Sequence, residues 1–203
     1  MDEAKCREVE GRLWASVGRA PTEHFVQLPR IDVKVRVQEV GDGPPALFLH
    51  GGPNSGSTWA PLVEHVEGFR CLLLDRPGTG LSEHVNVERG ELTTFASKLV
   101  GDTLEALGIE RAHVVASSLG GYCALWSASV EPERFDRMVQ MACPALLPGQ
   151  QLPKIMRAIM LPGVRKVIAV LPPNKKAGES IMRQIGHGAS LDKGILPEAH
   201  TVW

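Results

Sequence analysis

Residues 114–126 read VVASSLGGYCALW: a short apolar run, two adjacent serines, a glycine pair and an apolar helical stretch. A serine at a sharp turn from strand into helix needs small residues two positions before it and two after it. The strained backbone there brings those neighbours almost into contact. With Ser118 at the turn, the neighbours are Ala116 and Gly120; with Ser117 they are Val115 and Leu119, both too bulky. Ser118 is therefore the elbow residue and Ser117 the last residue of the strand. The pattern is of the G-x-S-x-G type with alanine in the first glycine's place, and Gly121 would let the helix pack closely. Taken alone, a serine in this position serves equally well as a helix N-cap. The rest of the chain has to decide between the two roles.

Around this stretch the chain alternates strands with helices. HFVQLP and VKVRVQEVG alternate apolar and polar residues, which predicts half-buried antiparallel strands. ALFLH (46–50), RCLLLD (70–75), AHVVAS (112–117) and DRMVQMAC (136–143) are nearly continuous apolar runs, as in strands buried on both faces. Between them STWAPLVEHVEG, LTTFASKLVGDTLEALGI and LGGYCALWSASVEPE read as helices, with another at residues 2–17. Such alternation implies crossover connections and a mainly parallel sheet with helices on both faces, an α/β fold. After Pro144 no further strand of the buried type is legible. Residues 1–147 read as the core domain and 148–203 as a partial helical cap.

A second stretch, LFLHGGPNSGSTW (47–59), nearly matches a phosphate-binding loop. Ser57 stands where the required lysine should be, so the nucleotide-binding reading loses its chemistry. The remaining reading is an oxyanion loop, a turn after a buried strand that points a backbone N–H at a carbonyl oxygen becoming anionic. Gly52 can donate, whereas Pro53 has no N–H. The second donor would be the N–H of Leu119, directly after the nucleophile. His50 is expected to hold this loop by hydrogen bonds rather than to act as a base. In LLLDRPGTGLSE (72–83), Asp75 and Arg76 are expected to serve the turn, since a carboxylate there usually caps backbone amides.

Composition excludes several classes. Over 203 residues, 43% are hydrophobic and 22% charged, and the net charge is −1, with a pI near 6.7. That balance offers no electrostatic footprint for nucleic acid or an anionic membrane. No apolar run reaches membrane-spanning length and no signal-peptide pattern opens the chain. Cys6, Cys71, Cys123 and Cys143 are scattered without metal-ligand spacing. These features predict a cytoplasmic, reduced protein with no metal or other cofactor, whose partner is a small-molecule substrate. An exposed sheet edge would also support a homo-oligomer.

HGGP at 50–53, DRPGTGLS at 75–82 and AxSxGG at 116–121, in this order and on these strands, resemble the α/β-hydrolase superfamily. The resemblance covers residues 22–145. HGGP is also similar to the proline iminopeptidase-like branch, where Asn54 would be glycine. A serine at 118 sets the chain apart from haloalkane dehalogenases and epoxide hydrolases of this fold, which use an aspartate nucleophile. The resemblance implies a serine hydrolase acting on a carboxylic ester or small amide through an acyl-enzyme, with Ser118 as nucleophile. It also implies a triad whose acid and histidine follow the serine along the chain.

Neither partner is evident. Glu131, Glu133 and Asp136 should lie at the opposite end of the sheet from Ser118. His187 and His200 sit in cap-like sequence rather than after a buried strand. Three explanations follow, in this order: a piece of a longer hydrolase, a cap that recruits His200 or His187, or an inactive ligand- or partner-binding module keeping the pocket. The first predicts weak turnover. It also predicts self-association through an unpaired strand at 136–143 and marginal stability.

Overall fold

The apolar runs become adjacent parallel strands at the centre of a mixed six-stranded sheet in the computed structural model, which describes residues 3–52, 54–87 and 90–143 together with Lys176, Glu179, Ser180, Arg183, Gly188 and Asp192. The strands are β1 (Thr22–Leu28), β2 (Val33–Val40), β3 (Pro45–Leu49), β4 (Arg70–Leu74), β5 (Ala112–Ser117) and β6 (Phe135–Met141), in the order β1-β2-β4-β3-β5-β6. β1 pairs antiparallel with β2, and β2 with β4; β4, β3, β5 and β6 run parallel to one another. The α/β expectation holds. The chain divides into two compact units, residues 1–143 and 144–203. The cap expected over 148–203 lies largely outside the described residues; among those that are described, Arg183 pairs with Asp192 at 2.7 Å.

Alternation along the central strands builds a core on each face of the sheet. Leu47 and Leu49 of β3, Leu72 and Leu74 of β4, and Val114 and Ala116 of β5 face one side. There they meet Leu99, Val100 and Leu104 of helix α3 (Leu92–Ala106) and Cys123 and Ala124 of helix α4 (Leu119–Val130). Ala46, Phe48, Cys71 and Leu73 face the other side, against Leu13 and Trp14 of α1 (Glu3–Ser16) and against Trp59 and Val63. All four cysteines are buried and unpaired.

Three local readings need correction. The helix expected across STWAPLVEHVEG is a 3-10 turn (Gly56–Trp59) followed by one α-turn, α2 (Ala60–Val63). Beyond it His65 N–H donates to Leu62 O and Val66 N–H to Val63 O, so the chain tightens into i,i+3 turns instead of continuing as an α-helix. Strand β2 is not half-buried: its polar residues Arg36 and Gln38 are enclosed, because α1 lies over the face that alternation had assigned to solvent. Strand β6 is not buried on both faces either. Among the described residues it is the outermost strand on its side of the sheet, and Val139 and Met141 are 53% and 42% exposed.

The burial of Arg36 rests on charge matching. The stripe of α1 that meets the sheet contains Cys6, Val9, Leu13 and Trp14, with Glu10 among them. Glu10 takes both terminal nitrogens of Arg36 at 2.6 and 2.7 Å, Glu23 takes one at 2.8 Å, and Asp75 receives Nε at 2.8 Å. A guanidinium removed from water is tolerable only when its donors are satisfied in this way. Although burial opposes the charge, the bonds that Arg36 donates to Glu10 and the proximity of Asp75 raise its pKa above the ordinary value. On the other face Asp102 of α3, fully buried, accepts the N–H groups of Arg30 and Ile31 and pairs with Arg30 Nε. The same guanidinium reaches Glu131 at the end of α4. Glu131 and Asp136, which pairs with Arg111, thus serve ion pairs of the frame.

Candidate active site

Because β3, β4 and β5 are parallel and in register, with Leu49 beside both Leu74 and Ala116, the segments leaving their C-terminal ends meet at one edge of the sheet. Those segments are the His50–Gly52 loop, the Asp75–Ser82 turn and the elbow at Ser118. The C-terminal ends of parallel strands are where open α/β sheets build their sites.

Ser118 has φ 49° and ψ −114°, a left-handed conformation that a residue with a Cβ rarely adopts. It is held there from both sides: its N–H donates to Met141 O at 3.0 Å, and its carbonyl accepts Tyr122 N–H at 3.0 Å in the first turn of α4. The spacing argument is visible as contact. A Cβ on Gly120 would lie 2.4 Å from Leu49 O and 2.6 Å from His50 O, so only glycine fits there. A Cβ on Gly51 would come within 2.8 Å of Ser118 Cβ, so the loop after β3 rests directly on the elbow. Ser117 remains in β5, paired with Met141.

The two backbone donors expected to form an oxyanion hole belong to Gly52 and Leu119, which adjoin Gly51 and Ser118 in the chain. Leu119 is the first residue of α4 and its N–H has no acceptor within the helix. Among the described residues neither it nor the Gly52 N–H has a hydrogen-bond partner. The Gly52 peptide is clamped by side chains. His50, 1% exposed, holds Gly51 O through Nδ1 at 3.0 Å. Since the C=O and N–H of one peptide plane point in opposite directions, anchoring Gly51 O turns the Gly52 N–H away from the imidazole. On the next plane Arg76 Nη2 donates to Gly52 O at 2.6 Å, and its Nε donates to His50 O at 2.9 Å. Pro53 lies outside the described residues.

His50 is therefore a structural group. Its Nδ1 faces a carbonyl and must carry the proton, so Nε2 accepts the Arg76 N–H at 3.2 Å beside the Thr79 hydroxyl. Burial first, and the nearby Arg76 charge second, hold its pKa well below the ordinary histidine range. Asp75, fully buried, accepts Gly56 N–H at 2.6 Å and Leu81 N–H at 2.8 Å besides Arg36. Burial raises its pKa despite the neighbouring guanidinium. The turn-holding roles expected of His50, Asp75 and Arg76 are the ones that their bonds describe.

Of the remaining histidines, His24 pairs with Glu39 and His84 with Asn86, while His65 is exposed and His113 stacks edge-on against Phe69. No described side chain bonds the Ser118 hydroxyl, and His187 and His200 lie outside the described residues.

The sequence model of the α/β-hydrolase fold matches residues 44–179, which contain all three loops. The chain belongs to the α/β-hydrolase family. It is 34% identical over 150 residues to a 2-hydroxy-6-oxo-6-phenylhexa-2,4-dienoate hydrolase of Comamonas testosteroni, an alignment covering 69% of this chain and 51% of that one. A 2-hydroxy-6-oxononadienedioate/2-hydroxy-6-oxononatrienedioate hydrolase of Paraburkholderia phymatum is 33% identical over 136 residues, 64% of this chain and 47% of the relative. The chain thus spans about half the length of the curated relatives that it matches. Among solved structures, a carboxylesterase of Bacillus subtilis superposes with a TM-score of 0.64 at 22% identity, covering 77% of this chain and 54% of that one. A 2-hydroxy-6-oxo-6-phenylhexa-2,4-dienoate hydrolase of a Rhodococcus strain gives 0.63 at 22% identity over 89% and 66%. These two likenesses concern the fold.

Proposed function

We propose that this α/β-hydrolase chain carries the nucleophile and oxyanion hole of a serine hydrolase acting at an electrophilic carbonyl carbon. The observation that supports it most is the strained Ser118, packed against Gly51, with the N–H groups of Gly52 and Leu119 unpartnered among the described residues. In this reading Ser118 Oγ adds to the carbonyl carbon and its proton passes to a base. The carbonyl π electrons move to oxygen, and the resulting anion takes both N–H bonds; collapse then expels the leaving group and leaves an acyl-enzyme. His50 is committed to the loop and does not serve as that base. An ester or small amide is the substrate class first expected for this chemistry. The 31–34% identity to hydrolases named for 2-hydroxy-6-oxodienoates favours a second class, in which the attacked carbonyl is the 6-oxo ketone and a carbon group leaves. Four buried, unpaired thiols support a reducing, cytoplasmic setting as part of the same proposal.

The test is covalent labelling of the chain with a fluorophosphonate, followed by peptide mass analysis. It is accompanied by hydrolysis assays on p-nitrophenyl butyrate and on 2-hydroxy-6-oxo-6-phenylhexa-2,4-dienoate. Labelling confined to Ser118 and abolished in Ser118→Ala supports the reading, and the faster-turning substrate selects the class. Labelling or turnover unchanged in Ser118→Ala overturns it, and a parent chain that neither labels nor turns over either substrate favours an inactive binding module.

A further inference from the structure

Among the described residues three other than glycine have a positive φ: Asp32 at 57°, Ser118 at 49° and Ala142 at 48°. Asp32 lies in the turn between β1 and β2, and aspartate is one of the residues that visit this region most readily. Alanine is not, because its Cβ crowds the carbonyl oxygen there. Ala142 directly follows β6, one residue past the carbonyl that takes the Ser118 N–H. The strained Ser118 and the strained Ala142 thus stand on either side of a single hydrogen bond, Ser118 N–H to Met141 O at 3.0 Å. Strain of this kind persists only where the surrounding structure enforces it.

Helix α4 is what enforces it. Side chains of an extended strand alternate between the two faces, so residues three apart point to opposite sides. Gln140 and Cys143 are three apart, yet both meet Gly121 in the first turn of α4. Gln140 Nε2 donates to Gly121 O at 3.3 Å, and a Cβ on Gly121 would lie 3.0 Å from both Cβ and Sγ of Cys143. Had β6 continued straight, Cys143 would fall on the far face of the sheet. The left-handed step at Ala142 returns it to the face of Gln140, where Cys143 is buried while Ala142 stays exposed. Residues 140–143 therefore cradle the elbow, with Gln140 and Cys143 on the helix and the Met141 carbonyl between them on the Ser118 amide.

We propose that Ala142 is a positioning residue for Ser118, its left-handed bend holding the Met141 carbonyl on the elbow; the effect expected on reactivity rests on the serine hydrolase reading above. The experiment compares Ala142→Gly, Ala142→Asn and Ala142→Val in the full chain. Two readouts are taken: hydrogen exchange of the Ser118 amide by heteronuclear NMR, and the rate of fluorophosphonate labelling. Because the side chain is exposed, the variants differ chiefly in how readily their backbone turns left-handed. Ala142→Gly and Ala142→Asn should keep the Ser118 amide protected and label within about twofold of the parent. Valine is β-branched and a true outlier at positive φ. Ala142→Val should release the Ser118 amide, leave the amides within β5 protected, and slow labelling about tenfold or more. If Ala142→Val does not fold, Ala142→Gly decides: it should melt no lower than the parent, against the usual cost of a glycine, and a lower melting temperature with slower labelling would overturn the proposal. A parent that does not label, with the Ser118 amide released only in Ala142→Val, keeps the positioning role and removes the hydrolase reading. A parent and Ala142→Val that label at one rate, with the amide protected in both, remove the role and keep the reading.

Discussion

Arg76 holds the carbonyls of His50 and Gly52 together, at 2.9 and 2.6 Å, through one buried guanidinium. The loop after β3, the proposed oxyanion loop, is thereby fastened to the turn after β4. Replacing Arg76 with methionine keeps much of the stem but orphans both carbonyls. The expected result is a loss of about 2–4 kcal/mol in stability. Fluorophosphonate labelling of Ser118 should slow by about a hundredfold, the scale of losing one oxyanion donor. Chemical denaturation and labelling rates read the two effects separately; a stable variant with unchanged labelling would show that the loop holds itself.

Gly120→Ala tests the elbow. The added methyl would meet Leu49 O and His50 O at 2.4 and 2.6 Å, both backbone atoms with little freedom to move. The expected outcome is a destabilisation of at least about 2 kcal/mol and labelling reduced more than tenfold. Ser117→Ala, one residue before the elbow, should label like the parent. Equal behaviour of the two variants would mean that the elbow is not where its glycine places it.

Glu39 accepts two bonds from Arg70 and one from His24, and the Arg70 bonds hold its pKa below the ordinary carboxylate range while burial pulls the other way. A carboxylate with a lowered folded pKa stabilises the protein above its unfolded value, near 4.5, and that contribution is lost as pH falls through the folded value. Glu39→Gln should cost about 1 kcal/mol at neutral pH and flatten the decline of unfolding free energy between about pH 5 and about pH 3. Urea melts across that range provide the check, and a decline as steep as the parent's would remove Glu39 from the account.

Strand β6 pairs with β5 on one side and carries Val139 and Met141 exposed, with Trp126 and Val130 of α4 also exposed. An apolar edge of this kind invites pairing between copies. Sedimentation velocity should show concentration-dependent association of the chain, weakened by Val139→Lys, since a lysine on an edge strand deters further pairing. A monomer at all concentrations would show that this edge is closed to a second copy.

The legible parts of the fold were those decided by local sterics or by strict alternation. Ser118 was distinguishable from Ser117 because the size of Ala116 and Gly120 is a local property. The central strands were legible because Leu47 to Leu49 and Leu72 to Leu74 stay apolar on both faces. Arg36 was not: an alternating strand looks half-solvated until a helix from elsewhere in the chain brings Glu10 over its polar side. β6 misled for the converse reason, because its apolar residues lie at the last position of the sheet, and position is not written in one strand. The clamp by Arg76 was legible only as a turn-serving role; its acceptors, two carbonyls 24 and 26 residues upstream, depend on strand order.

Glu10 grips Arg36, Arg36 grips Asp75, and Asp75 holds the Gly56 amide just beyond the His50–Gly52 loop. Helix α1 is thus one end of a run of three charges that ends beside the proposed reaction centre. Arg36 is the member that the two buried carboxylates share, so its loss would leave Glu10 and Asp75 facing each other without a cation between them. A tag or truncation that unseats α1 would be expected to register first as a change in reactivity at Ser118, in a region that it never touches.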